Sequence, residues 1–352
     1  MQKKGLGYAS LAAAMALVLA TGARAEVRWG GFLNAGVAAT DAEGTSSSGE
    51  EIKYVDHIGD KPSFSDTSFG LNASAEVAGK WSVAAQLFSP LGGETVILDW
   101  AFATYQASDE LSFRAGKIKY PGNLVSEYYN VGYAYPWIRP PQEIYRHGET
   151  NVTMTLQAIN GASLEYGLIG DEWEWSLMGY VGEADEENMS HNQMHAARLV
   201  ASNDDFKVLL GVNRSYMERS AMAAMKNKWM TIWTAAAQMD WNNVVGYAEY
   251  VQSQTEDVDQ LTTSAWYVTG GYRFGSLMPH LTYTEMSQDT GIGQKTWTLG
   301  LRWDMAPSTA LKAEYQQIDA QAAPGGDEAG LFNGIPDNNP VNMLSFALNY
   351  VF

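Results

Sequence analysis

The stretch MLSFALNYVF, residues 343–352, decides the fold. Leu344, Phe346, Leu348, Tyr350 and Phe352 fall on one face, and Ser345, Ala347 and Asn349 on the other. A period of two marks a β-strand whose faces meet different surroundings. The same alternation recurs back through the chain. In residues 66–78, Phe69, Leu71, Ala73, Ala75 and Val77 stand against Asn72, Ser74 and Glu76. Residues 95–106 set Leu98, Trp100 and Phe102 against Asp99, and residues 111–117 set Leu111, Phe113 and Ala115 against Ser112, Arg114 and Gly116. Sixteen strands are expected: 27–40, 66–78, 81–89, 95–106, 111–117, 162–169, 173–181, 195–202, 206–216, 229–241, 244–253, 264–274, 277–287, 295–304, 310–319 and 343–352.

The connections alternate between short turns and longer polar segments. Residues 79–80, 107–110, 170–172, 203–205, 242–243, 275–276 and 306–308 are short. Residues 41–65, 120–148, 182–194, 217–228, 254–263, 288–294 and 320–342 are longer, with a brief link at 90–94. Such alternation puts one set at each end of an all-β, antiparallel, up-and-down transmembrane barrel. Lipid offers no partner to an open sheet edge, so 343–352 must pair with 27–40. Aromatics such as Trp173, Trp229, Trp241, Tyr272 and Trp303 crowd the strand ends, as interfacial girdles require. A soluble β-sandwich also has regular short strands, but leaves the polar partner faces and the girdles unexplained.

Residues 1–25 read as a cleaved export signal, separate from a single barrel over 26–352. Lys3 and Lys4 precede the apolar run LAAAMALVLA (11–20), and Ala23, Arg24 and Ala25 make a small-x-small cleavage site. No later run is long and apolar enough for a transmembrane helix. There is no cysteine, so disulfides contribute nothing. The net charge of −18 becomes −21 without the signal (19 basic against 40 acidic residues), which excludes a nucleic-acid surface. None of the five histidines has metal-ligand spacing, and no nucleophile motif or phosphate-cradling loop occurs, so no catalytic residue, metal or cofactor is expected. A barrel enzyme or an adhesin is the remaining alternative.

Residues 120–148, YPGNLVSEYYNVGYAYPWIRPPQEIYRHG, interrupt the strand pattern. A loop of that length is functional or disordered, and this one is too aromatic for disorder. It is expected to fold into the lumen and narrow it. Its candidate constriction residues are Glu127, Arg139, Glu143, Arg146 and His147, with Tyr128, Tyr133 and Trp137. Ion pairs Arg139–Glu143 and Arg146–Glu127 are the structural alternative for those charges. Inward parity assigns Asp99, Arg114, Arg198, Glu249, Arg273, Arg302, Lys312 and Glu314 to the lumen wall, within a nearly balanced set of acids and bases. The loop tyrosines and Trp137 either pack the loop or stack on sugars and aromatic solutes.

An exported chain of sixteen strands, with its longest structured loop after the fifth and LSFALNYVF at its end, resembles the porins of Gram-negative outer membranes. The resemblance implies an outer-membrane diffusion channel constricted by the third outer loop, and homotrimers. It also implies contact with outer-membrane lipid and lipopolysaccharide, and an assembly signal in Tyr350 and Phe352 read by the outer-membrane assembly machinery. The sequence departs from those porins that cluster arginines on the early strands, where it offers Asn34, Asn72, Gln86 and Asp99. Acidic outer segments (Glu50-Glu51, residues 183–187, Asp327-Glu328) point to a mild cation preference. Small outward residues Gly31, Ala35, Ala73 and Ala75 mark the early strands, with the last strand, as the oligomer face.

Overall fold

The computed structural model describes residues 26–55, 58–90, 95–146, 156–185, 189–220, 223–258 and 261–352. The expected signal segment, His147, Glu186 and Glu187 lie outside the described residues. Sixteen antiparallel strands close into one barrel, each paired with its neighbours in sequence and the last with the first. They are β1 (Val27–Thr40), β2 (Ser68–Ala78), β3 (Trp81–Pro90), β4 (Ile97–Gln106), β5 (Leu111–Lys119), β6 (Ala158–Ile169), β7 (Glu174–Asp185) and β8 (Met189–Ser202). The second half comprises β9 (Phe206–Ser220), β10 (Lys228–Trp241), β11 (Val244–Thr255), β12 (Thr263–Tyr272), β13 (Leu277–Gln288), β14 (Gly293–Ala306), β15 (Thr309–Gln321) and β16 (Val341–Val351).

The alternation resolves as the sequence requires. On β16, Ser345, Ala347 and Asn349 are buried, while Leu344, Phe346, Leu348 and Tyr350 are exposed. Polar groups inside and large apolar groups outside is the inverse of a soluble core, and suits a wall set in lipid. Closure runs through Phe352, whose backbone N–H and C=O bond both ways with Gly31 at 3.1 and 3.0 Å. Its ring stacks on Tyr350 and on Phe69 of β2. Outward aromatics pair near the turns, as in Trp81–Tyr105 (4.9 Å) and Tyr272–Phe274 (4.8 Å).

Three features depart from the sequence reading. First, most of 182–194 is strand rather than loop: β7 runs to Asp185 and β8 begins at Met189. Likewise β9 continues to Ser220. These hairpins carry polar residues such as Glu183, Asn192 and Glu218, so no alternation marks them.

Second, β4 carries a bulge. Gln86 pairs with Trp100 but its neighbour Leu87 pairs with Leu98, which leaves Asp99 as the extra residue. A bulge reverses the facing of everything beyond it. Trp100 and Phe102 therefore share the lumen side with Asp99 rather than opposing it, and the Arg114 guanidinium sits 5.6 Å from the Phe102 ring.

Third, the inner wall is not polar all round. Tyr247, Val251, Tyr267, Met278, Met286 and Met343 are buried there, in one apolar cluster with Leu124, Trp137 and Tyr145 of the long loop.

Candidate functional site

The long loop leaves β5 at Lys119. It contains two short 3-10 turns, Ser126–Tyr128 and Gly132–Ala134, and one helical turn, Gln142–Tyr145. Pro136, Pro140 and Pro141 fix φ around the Trp137–Arg139 corner and keep it from extending as a strand. Its partners are inward-facing wall residues. Trp137 Nε1 donates to Thr282 Oγ1 (2.9 Å) and Ile138 N to Glu314 Oε1 (2.8 Å). Tyr145 donates to Glu249, which also accepts from Leu124 N (3.0 Å) and Tyr267 (3.2 Å). Glu143 accepts from Gln294 (2.8 Å) and Thr296 (2.6 Å).

Three wall cations bind loop carbonyls. Arg198 of β8 donates to that of Pro121 at 2.9 Å. Lys312 Nζ donates to the carbonyls of Gly132, Tyr135 (2.8 Å) and Trp137 (2.6 Å). Arg302 donates to those of Tyr133 (2.7 Å) and Tyr135 (3.0 Å), with its guanidinium 4.8 Å from the Tyr133 ring. Gly132 lies so close to the wall that a Cβ there would stand 2.4 Å from Asn349 Nδ2 and 2.6 Å from Asn34 Oδ1. Leaving so many buried polar groups unpaired would be costly, so the bonds hold the loop as a set.

The alternative ion pairs within the loop, Arg139–Glu143 and Arg146–Glu127, do not form. Arg139 pairs instead with Asp66 of the first outer loop (Nε–Oδ1 2.6 Å), and bonds Ser345 Oγ at 3.2 Å. Glu127 pairs with Arg198 of β8 at 2.7 Å, and Arg146 reaches the Leu331 carbonyl at 3.3 Å. Each loop charge meets a wall or neighbouring-loop group far away in sequence, which spacing within the loop cannot reveal. Arg273 lies just past β12 at the short-turn end, bonded to Asp240. Lys119 lies beyond the predicted end of β5 at residue 117 and on the parity of the outward Leu111, Phe113 and Ala115, yet it pairs with Asp99 at 2.7 Å. Most loop aromatics are packing: Tyr135, Trp137 and Tyr145 are buried, and Trp137 meets Tyr247 and Tyr267 at 4.9 and 5.5 Å. Burial raises the Tyr128, Tyr135 and Tyr145 hydroxyls above the usual phenol range, so they stay protonated.

Residues 132–145 thus lie against β11–β16, while 127–131 border a gap toward β3–β5, across which Asn130 Nδ2 donates to Asp99 (3.1 Å). The gap is a cavity of about 220 Å³ between Gln86, Trp100, Phe102 and Arg114 on the wall and Glu127, Tyr128 and Asn130 on the loop. Its nearby charges are matched: Lys119 with Asp99, Arg198 with Glu127, and Arg114 facing Glu165 at 3.6 Å.

No family model matches the chain, and no curated protein matches it in sequence. Solved structures do match in fold. The anion-selective porin from Comamonas acidovorans has a TM-score of 0.64 at 13% identity, covering 94% of this chain and 100% of that one. OmpF of Salmonella typhi, in complex with daunomycin, gives 0.63 at 12%, covering 93% and 98%. OmpT of Vibrio cholerae gives 0.60 at 12%, covering 93% and 98%. At such identity the likeness is one of fold, and the fold is the sixteen-stranded barrel of outer-membrane porins.

Proposed function

We propose that the chain is an outer-membrane diffusion channel, passing ions and small hydrophilic solutes between the 120–146 loop and the wall of β3–β5. The observation that carries this reading is an opening beside an anchored loop: residues 132–145 are bonded along β11–β16, whereas toward β3–β5 the loop reaches the wall through Asn130, which donates to Asp99 at 3.1 Å, and a cavity of about 220 Å³ lies beside that contact. The charges beside the gap balance, so ion preference falls to the acidic outer segments, and a mild cation preference follows. Reconstitution into a planar bilayer tests both points. Steady ohmic unit conductance is expected, with a reversal potential of cation sign under a KCl gradient. Absence of conductance overturns the channel; an anion-sign potential overturns only the preference.

A homotrimer associating through β1–β5 and β16 is part of the same reading. The outward faces of β2–β5 carry cross-strand rows of alanine: Ala73 opposite Ala85, Ala85 opposite Ala101, and Ala103 opposite Ala115. Small side chains let backbones of neighbouring barrels approach closely, where lipid-facing sectors carry large ones. One structural neighbour, OmpT of Vibrio cholerae, was solved in a trimer form.

A further inference from the structure

The charges around the gap are not equally committed. Lys119 is neutralised by Asp99, whose other oxygen accepts from Gln86 Nε2 (2.8 Å) and Asn130 Nδ2 (3.1 Å). Glu127 is taken by Arg198 at 2.7 Å. Arg114 differs. Its nearest acid, Glu165, is 3.6 Å away, beyond hydrogen-bond reach, and already accepts from Ser176 Oγ at 2.6 Å. Among the described residues Arg114 makes no hydrogen bond, and its guanidinium rests near the Phe102 face.

The rest of the lining is apolar. The β4 bulge turns Trp100 and Phe102 into the gap, their rings 5.4 Å apart, and Ile118, Val131 and Tyr128 complete the lining. A guanidinium that faces Glu165 without hydrogen-bonding it, beside an aromatic slot, is complementary to one kind of molecule: a flat ring bearing a carboxylate. The fork of the guanidinium takes a carboxylate through two parallel bonds, and the rings take its apolar face. Sugars suit it less, because Gln86, Asn130 and Lys119 already spend hydrogen bonds on Asp99. At about 220 Å³ the cavity is below drug-sized pockets, which restricts it to single-ring solutes.

We propose that the gap contains a binding subsite for small aromatic monocarboxylates, with Arg114 holding the carboxylate and Trp100, Phe102 and Tyr128 the ring. The proposal rests on the channel reading and names a solute class for it. Acidic outer segments bias the mouth over a Debye length, whereas Arg114 acts at contact.

The test is calorimetric titration of the whole barrel in detergent with phenylacetate, alongside its two halves, benzyl alcohol and acetate. Phenylacetate added to a single channel in a bilayer is the parallel measurement. Saturable binding and brief current interruptions are expected with phenylacetate, and binding at least about tenfold weaker with either half. Arg114→Gln and Trp100→Ala should each weaken phenylacetate by about tenfold or more, and Arg114→Lys, which keeps the charge without the fork, by less. The outward-facing Arg214→Gln should bind as the unmodified barrel does. Unchanged binding in Arg114→Gln, benzyl alcohol binding as tightly as phenylacetate, or tighter binding of glucose or zwitterionic phenylalanine overturns the proposal. A conducting channel that binds no phenylacetate overturns the subsite and leaves the channel reading standing. A barrel that binds phenylacetate but does not conduct does the reverse.

Discussion

The Lys312 ammonium has three hydrogens and three loop carbonyls to receive them. An ammonium fully removed from water is costly unless every proton is placed, and here every one is. Lys312→Met keeps the volume but strands the carbonyls of Gly132, Tyr135 and Trp137 and leaves Glu314 without its neighbouring cation. We expect a loss of about 3 kcal/mol, the range for breaking one side of a buried charge system, read as a lower urea midpoint. Single-channel current should also become noisier as residues 132–137 loosen; a quiet trace with an unchanged midpoint would contradict the anchoring role. That Lys312 faces inward could be read from alternation on β15. That it holds the loop could not, because its partners lie some 175–180 residues away and only closure brings them together.

The long loop acts as one element with a shared pH limit. Tyr128, Tyr135 and Tyr145, with Tyr54 of the first outer loop, are pushed upward by burial, because the neutral phenol is the form the dry site accepts. Their folded values exceed the unfolded value, so their contribution is complete below about pH 10 and is lost as pH rises through the folded values. Thermal midpoints should therefore hold level to about pH 9.5 and fall above pH 10, with a shallower fall in Tyr145→Phe. A midpoint level to pH 11.5 would count against it.

Strands, by contrast, announce themselves through their two faces, and the sixteen expected are the sixteen found. The bulge at Asp99 was illegible, since no glycine or proline flags it and one extra residue silently exchanges the faces of Trp100 and Phe102. The outer reaches of β7–β9 were missed for a different reason. Where both faces of a hairpin are polar, period two carries no contrast.

At the scale of the whole molecule, the outer surface is as uneven as the interior. Trp233, Trp266, Trp297, Leu299 and Leu301 project from the later strands, whereas β2–β5 present the alanine rows, with large side chains such as Phe69, Trp81 and Phe113 set around them. Ala101→Trp, in the middle of those rows, should leave the single barrel intact and raise the monomer fraction on chemical cross-linking in native membranes. The same change at Leu299 should not. Equal cross-linking patterns for the two variants, or monomers alone for the unmodified protein, would overturn the assignment of that face.

The seating of residues 132–145 along the later strands also fixes the outline of the opening. A fixed loop facing a strand wall leaves a slit rather than a round hole, and a slit sorts molecules by their thinnest dimension instead of by mass. Flat solutes slip through edge-on where branched ones of equal weight are turned away, so permeation ranked by molecular weight alone will look disordered until it is ranked by thickness.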